Sequence, residues 1–139
     1  MTRPSQLLRD QRAPADPRPA ATVLLLLRIT LALLLLFHGW AKITHGIGGI
    51  EKMVTGHGLP SWLAYGVYLG EVVAPVLLLI GLWVVPAALI VVGNMIVALL
   101  LVHTGQFLSI GNSGGWALEL QAFFIVTALV VALGYSKGK

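Results

Sequence analysis

ATVLLLLRITLALLLLFHGWAK, residues 21–42, decides the fold. A helix crosses a bilayer with about 20 mostly apolar residues, and this run has that length with one internal charge, Arg28, before His38 and Lys42 close it. Three more apolar runs follow, so the expected spans are about 21–42, 61–82, 86–104 and 115–135. The expected fold is all-α, an integral membrane four-helix bundle with both termini cytoplasmic. Residues 22–139 form its one domain, and residues 1–21 form a disordered, basic, Pro-rich tail.

Composition agrees with that class. The chain has 139 residues, 58% hydrophobic and only 10% charged, with mean hydropathy +0.91. Soluble domains carry about 25% charged residues. The pI of about 9.9 does not indicate a nucleic-acid partner, because the basic residues are placed as topology signals. Arg3, Arg9, Arg12 and Arg18 precede the first span, and Lys137 and Lys139 end the chain. Under the positive-inside rule they mark the cytoplasmic side. A secretory signal peptide is not expected, since the first apolar run ends in His38-Gly39-Trp40-Ala41-Lys42 with no small-residue cleavage pattern. The chain has no cysteine, which excludes disulfides, thiolate-held metals and iron–sulfur ligation by its own residues.

Six ionisable residues lie in or against the spans: Arg28, His38, Lys42, Glu71, His103 and Glu119. A charge at mid-helix costs on the order of 2.5–3.5 kcal/mol on insertion scales, so such residues face a polar interior and mark sites. With the tail inside, all but Arg28 fall in the outer half. His38 and Lys42 share a face, about 40° apart at helical spacing. Ala64, Tyr68, Glu71 and Pro75 form a stripe on the second span, and Trp116, Glu119 and Phe123 form one on the fourth. The candidate ligand-binding residues are therefore His38, Lys42, Tyr68, Glu71, His103, Trp116 and Glu119. Lys42 either snorkels to the headgroups or pairs with Glu71 or Glu119. Arg28 reads as an interfacial anchor. Two histidines on separate helices are too little for haem, and no metal site is expected. Pro75 leaves the Glu71 carbonyl without its helical N–H partner. Gly66, Gly70 and Ala74 make a small-residue ridge suited to helix packing within the bundle or in a homo-oligomer.

Taken in order, His38-Gly39-Trp40-x-Lys42, Glu71 with its apolar run to Leu82, the Asn94-Met95-x-x-Ala98 positions and Gly114-Gly115-Trp116-Ala117-Leu118-Glu119 resemble the DoxX family of small four-helix bacterial membrane proteins. The resemblance covers about residues 24–139. It implies a multi-pass protein of the bacterial cytoplasmic membrane, with polar positions matching His38, Gly39, Lys42, Glu71, Gly115 and Glu119. Members are similar to the membrane subunit of thiosulfate:quinone oxidoreductase, and others are associated with oxidative-stress or quinone-resistance systems. Many members carry a basic residue between the second and third spans, where this chain has Trp83-Val84-Val85-Pro86. The expected role is a quinone-linked redox accessory subunit that binds a lipophilic small molecule in an outward-facing polar pocket. Any redox activity would belong to a complex with a soluble or membrane partner protein. A carrier or exporter of a lipophilic compound, and a membrane anchor or assembly factor for a soluble enzyme, are the alternatives.

Overall fold

The computed structural model describes residues 17–102 and 108–137. The tail through residue 16 and the candidate His103 lie outside the described residues. Four helical stretches are long and apolar enough to cross a membrane, and the only β pairing among the described residues is an isolated bridge between Ile110 and Trp116. The helices are α1 Pro17–His45, α2 Gly48–Gly56, α3 Ala74–Ile80, α4 Val84–Val102 and α5 Glu119–Ser136.

The helix bounds differ most from the sequence expectation in four places. Residues 17–20, expected in the tail, form the first turn of α1. Pro17 and Pro19 fit there because first-turn N–H groups have no helical acceptor to lose. The glycine-rich stretch between the first two expected spans contains α2, between Gly46 and Gly58, whose φ values are +79° and +76°. Ile47, Ile50 and Val54 recur at helical spacing and pack with Ala64, Val67 and Leu101, so burial overrides the low helix propensity of the glycines. The third span starts at Val84 rather than 86. Gly81, at φ +80°, closes α3 as the Gly81 and Leu82 N–H groups donate to the Leu77 carbonyl at 2.9 and 3.0 Å. The Ala87 N–H then bonds the Trp83 carbonyl at 2.9 Å, so the connection is residues 81–83, two positions earlier than expected.

The fourth difference matters most for the site. α5 starts at Glu119, not 115. The Gly111 N–H donates to the Gly115 carbonyl at 2.7 Å, and the Ala117 N–H to the Ser109 carbonyl at 3.0 Å. Residues 109–117 thus close a tight turn, and Trp116 does not share a helical stripe with Glu119 and Phe123.

The second span is not one regular helix. It runs as a 3-10 stretch Ser61–Tyr65, a helical turn Gly66–Tyr68, a π turn Leu69–Val73 and then α3. The Ala74 N–H reaches back five residues to the Leu69 carbonyl, and Pro75 follows with no N–H to give. The core fills the half of the bundle where α1 begins and α5 ends. Leu31, Leu35, Leu78, Ala88, Val91 and Val131 are buried there. Leu24 lies against Gly134, and Arg28 bonds the Tyr135 hydroxyl at 3.1 Å with its guanidinium 5.4 Å from that ring's centre. The opposite half is not filled, and that is where the site forms.

Candidate functional site

Gly39 starts the site. A side chain at this position of α1 would meet the Glu71 carbonyl oxygen and the Val72 side chain. Only the Cα hydrogens of glycine fit against that carbonyl, to which Pro75, four residues on, has no N–H to give. A contact of the Cα–H···O kind is the weak substitute. The close approach puts Lys42, one turn beyond Gly39, beside the second span. Its ammonium donates to Glu71 Oε2 at 3.3 Å. The side chains of Lys42 and Glu71 are 29% and 10% exposed, so the pair is mostly sheltered, and each charge needs the other. The Tyr68 hydroxyl donates to the Lys42 carbonyl at 3.3 Å, a second tie between the same two elements.

The pair sits at the polar end of a cavity of about 750 Å³, walled by α1, α2, the second span, α4 and α5. His38, Asn94 and Gln121 also line it. His38 meets Phe124 edge to face, 5.8 Å between ring centres and 88° between planes, so one wall is aromatic. Asn94 packs against Gly70, where a side chain would collide with it. Its Nδ2 is buried and has no hydrogen-bond partner among the described residues. The remaining walls are aliphatic and Met side chains, among them Ile50, Met53, Val67 and Ile90. This follows the usual construction of a small-molecule site, apolar walls with a few convergent polar groups.

The seven candidate residues divide accordingly. The structure brings His38, Lys42 and Glu71 to the cavity, with Tyr68 directly behind Lys42. Trp116 and Glu119 do not line it. Glu119 is exposed, and its carboxylate lies over Gly115, where a side chain would come within 2.6 Å of it. Of the two carboxylates weighed as partners of Lys42, the structure pairs it with Glu71. In the small-residue ridge, Gly70 packs on Asn94 and Ala74 is fully buried, while a side chain at Gly66 would meet nothing within 4 Å. Asn94, Gln121 and Phe124 were not among the ligand candidates. Two carboxamides inside apolar spans were the available signal, since an unsatisfied amide in hydrocarbon also costs several kcal/mol.

Lys42 and Glu71 cancel each other's charge, so the polar end as a whole is neutral and rich in donors. A planar, uncharged molecule with carbonyl oxygens suits it better than an ion.

Residues 23–104 match the DoxX family. That is more than half of the chain, and the protein therefore belongs to the DoxX family. No curated protein and no solved structure matches it.

Proposed function

We propose that this DoxX-family membrane protein binds a neutral lipophilic molecule of the quinone class in the Lys42–Glu71 cavity, as the accessory subunit of a membrane redox system. The supporting observation is the combination of a 750 Å³ mostly apolar chamber with Lys42, Glu71, His38 and Asn94 in its lining. A quinone headgroup is flat and carries two acceptor oxygens. The Lys42 ammonium and the Asn94 amide supply donors for them, and the edge-to-face His38–Phe124 wall suits a ring. Two-electron reduction of a quinone takes up two protons, and groups such as Lys42 and His38 are suited to hold and pass protons at the carbonyl oxygens. The electrons are assigned to a partner oxidoreductase, soluble or membrane-bound. The bacterial cytoplasmic membrane, with both chain ends inside, is the proposed location.

The test is a titration of the purified protein with a short-tailed benzoquinone analogue, followed by Trp fluorescence. Saturable quenching of the wild type is expected, with affinity weakened about ten-fold or more in Lys42→Met and Glu71→Gln; ten-fold corresponds to about 1.4 kcal/mol. Equal affinity in all three proteins would remove the pair from the site. A second reading, a carrier for a lipophilic compound, draws on the exposed cavity-lining residues Leu63 and Val97. Accumulation of such a compound in proteoliposomes, without any redox partner, would favour it.

A further inference from the structure

We infer that the cavity is loaded sideways from the bilayer, through a slot between the second span and α4, by a molecule whose apolar tail stays in that slot. The inference rests on the reading of the cavity as a lipophilic site and specifies where its ligand comes from.

Three observations carry it. The first is two glycines. Gly66 and Gly93 both line the cavity, and a side chain on either would meet nothing within 4 Å among the described residues. Gly66 has ordinary helical dihedrals, φ −58° and ψ −23°, and Gly93 lies inside α4, so neither is required by the backbone. Neither supports a close helix contact of the kind Gly70 makes with Asn94. A glycine inside a helix costs about 1 kcal/mol relative to alanine. What these two positions provide is open space.

The second observation is the exposure of the wall between the second span and α4. Leu63, Leu69 and Val97 line the cavity and are nevertheless 39%, 48% and 52% exposed. All three belong to spans, so this open wall lies at membrane depth. Gly70 packed on Asn94 is its sill.

The third is the roof. α2 covers the end of the cavity away from the core with Ile50, Met53 and Val54. Val54 is 2% exposed and packs with Ile47, Ala64 and, more loosely, Leu101. α2 thus covers part of the aqueous side with apolar contacts, while glycines line the wall between the second span and α4. A molecule with a polar head and a long apolar tail fits this shape: the head at Lys42–Glu71 and Asn94, the tail leaving between the helices.

The cysteine-free sequence allows a direct test. The half-buried cavity residue Ala98 is replaced in the full chain, Ala98→Cys, and the protein is reconstituted in liposomes. A membrane-partitioning maleimide and a charged methanethiosulfonate in the water phase are then compared. The inference predicts labelling by the lipophilic reagent at least ten-fold faster than by the charged one. It also predicts that adding Gly66→Phe or Gly93→Phe slows the lipophilic reaction ten-fold or more. Faster labelling from water, no labelling by either reagent, or insensitivity to both Phe substitutions would overturn it. These readouts contain no quinone, so failure of the slot is distinguished from failure of the quinone reading, which the analogue titration tests alone.

Discussion

Lys42 reaches Glu71 only because position 39 has no side chain, and that dependence can be measured one residue at a time. Breaking a buried ion pair from one side costs about 3–5 kcal/mol, and with Lys42 still 29% exposed the lower end of that range applies. Lys42→Met is expected to lower thermal stability in detergent, and Lys42→Met/Glu71→Gln to recover part of the loss. Strictly additive losses would mean that the two side chains do not interact. Gly39→Ala introduces a methyl against the Glu71 carbonyl and Val72. Overpacking of this kind costs about 1–3 kcal/mol. It should also shrink the Lys42–Glu71 coupling energy in the same double-mutant cycle. A fully stable Gly39→Ala protein with unchanged coupling would contradict the close approach. The residues of this contact were visible in the sequence as costly charges in apolar spans. Asn94 and Gln121 carry no charge to mark them, although amides obey the same desolvation rule.

At the scale of elements, the π turn sets the direction of Glu71. Pro75 cannot donate to the Glu71 carbonyl, and the Ala74 N–H bonds Leu69 instead. Pro75→Ala restores a donor, which allows the turn to tighten to α geometry and rotate the residues before it by about 100° per residue removed from the bulge. The expected result is a lower Lys42–Glu71 coupling energy with helical content retained by circular dichroism. An unchanged coupling energy would assign the position of Glu71 to packing alone. The sequence showed where the second span lies and that Pro75 disturbs it, because hydropathy and proline chemistry are local. It did not show the π turn, a segment on which Gly39 and Asn94 from other helices pack closely. α2 went unread for a related reason: its glycines suppress helix propensity, and its helix exists through Ile47 and Val54 burying against Ala64. The four-residue shift at the start of α5 likewise comes from turn hydrogen bonds that no periodicity reports.

The whole molecule is asymmetric along its axis. All three described carboxylates, Glu51, Glu71 and Glu119, lie in the half that holds the cavity. Arg18, Arg28 and Lys137 lie at the other end, where Arg28 meets Tyr135. Arg3, Arg9 and Arg12 precede that end in the sequence, and the proposed orientation under the positive-inside rule has it in the cytoplasm. In intact cells Thr55→Cys, on α2, should react with a membrane-impermeant maleimide, and Ser136→Cys only after permeabilisation. The reverse pattern would invert the protein and turn the cavity toward the cytoplasm. The claim that joins all three scales is that the chamber beneath α2 holds a neutral, tailed molecule. Native mass spectrometry of the protein purified in mild detergent tests it most directly, comparing wild type with the cavity-filling variant Gly93→Trp. The account predicts a stoichiometric neutral lipophilic adduct on the wild type that is lost from the variant. The same adducts on both proteins, or phospholipid alone on each, would contradict it.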